Sequence, residues 1–463
     1  MSPVMEESAA GRAARGLSRD ARSIGGELRV TLKLGLPIMA GLVGQMVMGV
    51  TDTVMVGQLG TLPLAAASFA HNLIHVPFVA VMGLITSVAV TTSHAFGAKD
   101  PVGAGQALRH GLGLAAAAGL VSALLLLAVR DHCGWLRQPP EVVAEARAYT
   151  GWVAWSLIPA LLAMVIKQYC EALNRPWPPT WILFGGVLLN VLLNWLWIFG
   201  HAGFPALGLE GAGLATLVAR LATLAGMMVY LWRARDLAPW LPARWFATWD
   251  TAVIRRQLTL GLPVGLQHLL EVGAFVMGAF MMGWIGAEAL AAHQIALTCA
   301  STTFIFALGF GMAVGIRVGH AWGARDPLGL KRIGWGGIAV GALMMSGFAL
   351  LFFLARTPIA NAFVSAPEVA ALAAGLLLVA AFFQVFDGLQ VVAMSALRGL
   401  GDVRVPAAIA AVAYWLVALP LAALLAFGLE WGATGIWIGL ASGLATAAGG
   451  LVWRFQVKSR RAS

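Results

Sequence analysis

Charge is what this sequence has little of. Asp, Glu, Lys and Arg make up 11% of its 463 residues, while 60% are hydrophobic. A soluble globular chain carries about 25% charged and roughly 45–50% apolar residues. So few charges cannot clothe a water-facing surface unless much of the exterior faces lipid. That excludes a soluble enzyme, a nucleic-acid binder and a disordered protein. Cysteine is scarcer still: Cys133, Cys170 and Cys299 are far apart and odd in number, so no disulfide framework and no metal-ligand spacing is present. A phosphate-cradling G-x-x-x-x-G-K-[ST] motif is missing. No short apolar core with a small-residue cleavage site precedes the first long apolar run, so no cleaved signal peptide is expected.

What is present is long apolar runs. Twelve stretches of helical length lie between residues 34 and 455, each able to cross a bilayer that takes about 20 apolar residues per helix. Their Pro and Gly residues are tolerated in membrane helices when neighbours satisfy the freed backbone groups. The net charge of +10 matters less than where the basic residues fall. With the N-terminus inside, 25 of the 30 Lys and Arg fall on inner segments, including Arg12, Arg15, Arg19, Arg22, Arg29 and Lys33 before the first span and Lys167 and Arg175 after the fourth. The outer loops hold four: Arg130, Arg137, Arg147 and Arg356. Basic residues concentrate on the cytoplasmic side of membrane proteins, so both termini are expected there. Arg220 stands apart, inside a span.

The chain repeats itself at an offset of 226. Gly35-Leu36-Pro37 returns as Gly261-Leu262-Pro263, Leu64-Ala65-Ala66 as Leu290-Ala291-Ala292, and Gly97-Ala98-Lys99-Asp100-Pro101-Val102-Gly103 as Gly323-Ala324-Arg325-Asp326-Pro327-Leu328-Gly329. Six spans per half give both halves the same orientation, which suits a pseudo-twofold along the membrane normal and a cleft between the halves. The expected organisation is a flexible cytoplasmic tail over 1–33, an N-lobe over 34–232, a cytoplasmic linker over 233–257, a C-lobe over 258–455 and a second tail over 456–463.

Charged side chains at the bilayer centre cost at least about 2.5–3.5 kcal/mol on insertion scales and mark function. Three acids lie inside spans: Asp52 in span 1, Glu271 in span 7 and Asp387 in span 10. Desolvation disfavours a charged carboxylate, so such groups suit proton exchange, or they coordinate hard cations through oxygen. Asn190 and Asn194 sit one turn apart on one face of span 5; alone, they read as interhelical hydrogen bonds. Thr216 in span 6 reads as a backbone-bonded threonine. His71, His75, His268 and His293, near or within spans, read first as packed histidines rather than proton carriers. Arg220, one turn after Thr216, needs a partner at its depth. Asp52 is the acid at comparable depth in that half, and a pair between them, direct or through water in at least one state, is one expectation. A bond to backbone carbonyls, or extension toward the cytoplasmic opening, is the other.

These residues together resemble the multidrug and toxic compound extrusion (MATE) family in its NorM-type bacterial branch. The resemblance rests on Pro37, Gln45 and Asp52-Thr53-Val54-Met55-Val56-Gly57; on Asn190-Val191-Leu192-Leu193-Asn194-Trp195; on Gly261-Leu262-Pro263, Glu271 and Ala291-Ala292-His293-Gln294; and on Asp387-Gly388-Leu389-Gln390 with Leu397-Arg398-Gly399. It covers nearly the whole chain except the tails. It implies an all-α membrane protein of twelve helices in two pseudo-symmetric six-helix lobes forming a V. It implies alternating access and export of amphipathic, often cationic drugs and dyes against Na⁺ or H⁺, with no other cofactor. Asp52, Asn190, Asn194 and Thr216 match an N-lobe cation site, with Arg220 beside it. Glu271 and Asp387 match a C-lobe ion site, whose cavity includes Phe383 at a position where NorM-type chains often have Tyr.

The reading is therefore a secondary multidrug antiporter of a bacterial inner membrane, a monomer in the lipid bilayer with no nucleic-acid partner and no enzymatic activity. A lipid-linked-precursor flippase of the same superfamily is one alternative, and would need several cations inside the cleft. A non-transporting membrane scaffold or receptor is another, and would not need intramembrane acids in both halves.

Overall fold

The computed structural model describes residues 24–132 and 139–461. Cys133, Arg137 and the four most N-terminal arginines lie outside these. Among the described residues, twelve helices are long and apolar enough to cross a membrane. They are α1 (Ile24–Gly57), α2 (Thr61–Gly97), α3 (Pro101–Asp131), α4 (Pro140–Ala172), α5 (Trp177–Phe199), α6 (Gly208–Arg233), α7 (Thr251–Ile285), α8 (Ala287–Gly323), α9 (Pro327–Phe363), α10 (Pro367–Gly399), α11 (Arg404–Gly428) and α12 (Gly432–Arg461). Large apolar side chains that a soluble protein would bury stand outward, among them Leu188, Leu343, Leu354 and Leu416. Exposed Trp232, Trp284 and Trp453 lie near helix ends, where indoles favour the membrane–water boundary.

The sequence repeat is a structural repeat down to its turns. α2 ends with Lys99 at φ 56° and α8 with Arg325 at φ 54°. Asp100 N–H then donates to Ala95 O at 2.8 Å, and Asp326 N–H to Ala321 O at 2.9 Å, the wrap that closes a helix with a left-handed residue. The same aspartates cap the next helix, accepting from Gly103 N and Gly329 N at 2.9 Å. Each is followed by Pro101 or Pro327 at the helix start, where a missing N–H costs nothing. A Cβ on Gly103 or Gly329 would meet the capping carboxylate at 2.2 or 2.3 Å, so the seven-residue motif specifies one turn geometry.

The chain divides into two compact units. One holds residues 40–234 and 240–269, with α4 at its centre against α2, α3 and α6. The other holds 24–39, 235–239 and 270–461, with α10 at its centre against α8, α9 and α12. Three expected boundaries shift, each for a visible reason. Residues 24–33, expected in a tail, are the first turns of α1: Arg317 on α8 donates to Glu27 O at 2.5 Å and Thr31 Oγ1 at 2.8 Å, and pairs with the Glu27 carboxylate. The expected linker over 233–257 gives up 251–257 to α7. Asp250 Oδ1 accepts from Ala252 N at 2.8 Å, and Gln257 Nε2 donates to Ala107 O at 2.8 Å. Residues 456–461, expected in the second tail, continue α12, whose Arg454 and Lys458 reach Asp402 Oδ2 at 2.7 and 3.6 Å.

Small residues set the approach of α11 and α12. Gly435, Gly439 and Gly443 form one stripe, and Cβ atoms there would lie 2.7 Å from Ala426 N, 2.4 Å from Ala422 Cα and 2.4 Å from Ala418 Cβ. Both helices present small residues every fourth position, the pattern that lets membrane helices pack closely. Gly439→Leu is expected to cost about 3 kcal/mol or more, the upper end for overpacking, and to remove the monodisperse peak in detergent size-exclusion. Gly449→Leu, with nothing within 4 Å of its Cβ, should leave that peak intact.

Candidate functional site

The first unit holds a partly open cavity of about 770 Å³. Asp52 of α1, His71 and His75 of α2, Tyr149 of α4, and Thr216 and Arg220 of α6 line it. α6 brings Thr216 and Arg220 to one face by their four-residue spacing. Beside the cavity Asn194 and Asn190 are fully buried on α5. Asn194 Nδ2 donates to Asp52 Oδ1 at 2.6 Å and lies 3.3 Å from Asn190 Oδ1. Among the described residues Asn194 Oδ1 and Asn190 Nδ2 have no hydrogen-bond partner. Thr216 donates to Ala212 O at 2.9 Å, which leaves the oxygen's lone pairs free. Of the four residues that resemble an N-lobe cation site, three form one hydrogen-bonded chain, Asp52–Asn194–Asn190, and Thr216 lines the same cavity as Asp52.

Arg220 bears on the direct form of the expected pair. It lines the same cavity as Asp52 and the two charges act on each other, but no direct Asp52–Arg220 ion pair is present among the described residues. Its guanidinium donates instead from Nη1 to Ser156 Oγ at 2.7 Å. Nor, among the described residues, does it bond a backbone carbonyl. The hydroxyl of α4 supplies what neither expectation named.

The second unit holds a different polar cluster. Glu271 of α7 accepts from Gln390 Nε2 of α10 at 3.3 Å and from the Tyr414 hydroxyl of α11 at 3.0 Å. That hydroxyl is also 2.9 Å from Gln390 Oε1, so one proton is shared between two acceptors and the three side chains close a ring. Asp387, just short of one turn before Gln390, is 4% exposed and makes no side-chain hydrogen bond among the described residues. Glu271 and Asp387 are near enough for their charges to act on each other. Gln384 donates to Thr303 Oγ1, and His293 accepts from Trp437 Nε1 at 3.1 Å through Nδ1. Among the described residues Gln384 Oε1 and His293 Nε2 have no hydrogen-bond partner. A carboxyl with no donor beside a second carboxyl is an arrangement that a proton or a hard cation can complete.

Phe383, at the position where NorM-type chains often have Tyr, is packed among aromatic rings. It is buried against Phe275 and Trp437, with ring centroids 6.2 and 5.7 Å apart. The phenol of this cluster is Tyr414, which the sequence reading missed. Tyr414→Phe should leave Glu271 with Gln390 alone, costing about 1–3 kcal/mol for a buried acceptor deprived of its donor. A lowered melting temperature in detergent, with efflux reduced several-fold, is the expected result; an unchanged melting curve would separate Tyr414 from Glu271 energetically.

Comparison with known proteins bears on what these two clusters serve. Residues 37–196 and 263–424 each match the MatE family model, and the two start points differ by the repeat offset of 226. The chain is 38% identical to a probable multidrug resistance protein NorM of Bradyrhizobium diazoefficiens over 93% of each chain. It is 37% identical to the protein of the same description from Pseudomonas aeruginosa, over 94% of this chain and 90% of that one. Its fold is similar to the Vibrio cholerae MATE transporter VcmN in the bent form, with a TM-score of 0.87 over 95% of this chain and 98% of that one at 21% identity. A multidrug resistance MATE family transporter in an outward-facing conformation superposes with a TM-score of 0.86 at 20% identity, over 94% of this chain and 96% of that one. This multi-pass membrane protein belongs to the MatE family, and is a transporter rather than an enzyme.

Proposed function

We propose that this protein exports amphipathic, often cationic drugs and dyes in exchange for Na⁺ or H⁺, by alternating access, across a bacterial inner membrane. It acts as a monomer with both termini cytoplasmic. The observation that carries the reading is Asp387, nearly buried, without a side-chain hydrogen-bond partner among the described residues, beside Glu271 in a membrane-spanning unit. Binding a coupling ion there changes the charge of the packed interior. An ion shifts a conformational equilibrium only by its differential affinity for the two states, and charge neutralisation in low dielectric supplies such a difference. Asp52, with Asn194 Oδ1 and Thr216 Oγ1, offers a second set of oxygens in the other unit. The cavity beside Asp52 has the size of drug-binding pockets, about 300–1,000 Å³, and the relatives' description as multidrug resistance proteins supports drugs as cargo. The asymmetry of basic residues supports the orientation. A flippase for pyrophosphate-bearing lipids would want several cations, and Arg220 is the one Lys or Arg among the residues lining this cavity.

The test is ethidium efflux from proteoliposomes with a Na⁺ gradient or a pH gradient imposed separately. Efflux accelerated by one gradient is expected. Dye movement that ignores both gradients would overturn the antiport reading.

A further inference from the structure

Of the nine histidines in the sequence, only His71 and His75 stand four residues apart, a spacing that puts both on one face of α2. Both are exposed, and both line the cavity of the first unit. Their rings stack, with centroids 6.0 Å apart. Other histidines are committed: His110, His132, His201 and His293 each pair a ring nitrogen with a backbone carbonyl or an indole. His71 and His75 make no hydrogen bond among the described residues. A neutral imidazole keeps one nitrogen lone pair, so two uncommitted lone pairs stand one helical turn apart on the wall of a partly open space.

We propose that His71 and His75 form a binding site for one divalent transition-metal ion, Zn²⁺, Ni²⁺ or Cu²⁺, each ring giving one nitrogen. The site goes beyond the exchange reading above and needs no transport to be occupied. Two histidines four apart on a helix are the pairing by which zinc-binding helices hold their metal. With metal–nitrogen bonds of about 2.0–2.1 Å and about 1.2 Å from nitrogen to ring centre, joined rings lie about 5.2 Å apart at a tetrahedral angle and about 6.4 Å apart when linear. The observed 6.0 Å falls inside that span, so side-chain rotation closes the site with no shift of the helix. Among the described residues no group of three or more His, Cys, Asp or Glu could hold a metal, so water in the cavity completes the coordination. Charge and ligand type decide which cation is held. Arg220 is near enough to act on His71, and it repels a cation held by charge alone. That disfavours Na⁺ and Mg²⁺, which prefer oxygen. A transition ion gains bonds to imidazole nitrogen that hard cations do not, and Asp52 in the same cavity offsets part of the repulsion. Copper is held tighter than nickel or zinc at such a site.

The test is calorimetric titration of Zn²⁺ into the purified full-length protein in detergent, free of any polyhistidine tag. Saturable binding of one ion per chain is expected, with millimolar Mg²⁺ failing to displace it. His71→Ala and His75→Ala should each weaken binding about tenfold or more, since even the loss of a ligand's hydrogen-bond partner costs a metal site that much. The double variant should be little worse than either single one, because one imidazole alone does not chelate. Arg220→Gln should tighten binding by removing the opposing charge. Cu²⁺ on the wild type should show two imidazole nitrogens by electron paramagnetic resonance, a reading that depends on no variant's folding. The proposal is overturned by a wild type that binds Zn²⁺ no better than the double variant, by an affinity that either single substitution leaves unchanged, or by one imidazole on the copper. Displacement by Mg²⁺, or weaker binding in Arg220→Gln, would also overturn it. Ethidium efflux under imposed gradients is a separate measurement, so the transporter reading and the metal site fail independently.

Discussion

Asp387→Asn is expected to reduce efflux to background while the protein reaches the membrane at wild-type level and keeps its melting temperature. The two halves of that expectation have different grounds. Stability is spared because Asp387 makes no side-chain hydrogen bond among the described residues, so an amide of the same shape removes no contact and eases the repulsion from Glu271. Transport is lost because an amide neither releases a proton nor presents a full negative charge to a cation. Carrying a two-state equilibrium from almost wholly one access state to almost wholly the other takes about a 10⁴-fold difference in ion affinity between them, and the carboxylate supplies the charge on which that difference depends. Glu271→Gln should also abolish efflux while keeping the ring, because Gln390 Nε2 and the Tyr414 hydroxyl both donate to Oε1 and an amide oxygen can take that place. The charge is thus separated from the ring, which Tyr414→Phe breaks: a melting temperature lowered as far in Glu271→Gln as in Tyr414→Phe would contradict a ring closed through Oε1, and wild-type efflux in Asp387→Asn would remove that residue from coupling.

The twelve helices were legible because apolar length is a strong signal and because the sequence states it twice. The turn after α2 could be read from Gly97 to Gly103 once Gly323 to Gly329 repeated it. Asn190 and Asn194 share a face by spacing alone. What could not be read follows from geometry that periodicity does not carry. Tyr414 reaches Glu271 across 143 positions of sequence, from a stretch, Val412–Ala418, wound as a π-helix, and a tyrosine in an apolar run carries no mark of so distant a partner. Arg220 finds Ser156 across 64 positions of sequence, and a serine in a span carries no mark that distinguishes it from one bonded to its own backbone. The first turns of α1 were counted as tail because Glu27, Arg29 and Lys33 look like solvated charge. Their order depends on Arg317, 290 residues later, and no local pattern announces such a partner.

Lys167 and Glu171 give the second large effect, and the sequence hid it most completely, since Lys167 counts there as one more cytoplasmic cation. Both lie in α4 with side chains 2% and 0% exposed, and Nζ stands 2.5 Å from Oε1. The stem of Lys167 packs by Gly41 of α1, where an added Cβ would lie 3.5 Å from Cε. Among the described residues neither Glu171 oxygen has a hydrogen-bond partner beyond this ion pair. Glu171 also sits in the last turn of α4, where the helix dipole disfavours a negative charge, so Lys167 is what makes the carboxylate tolerable. Removing either partner alone strands a buried charge, which costs about 3–5 kcal/mol. Glu171→Leu and Lys167→Met are each expected to lower the melting temperature in detergent sharply and to cut the amount of protein recovered from membranes. The double variant is expected to recover most of the loss, because a buried ion pair replaced by apolar groups of similar volume is often neutral or stabilising by about 1–4 kcal/mol. If the double variant melts no higher than the worse single one, the two charges are not each other's main partner. If it melts like the wild type yet still exports ethidium at the wild-type rate, the pair serves folding alone; a stable but inactive double variant would instead place Lys167 and Glu171 in the transport cycle.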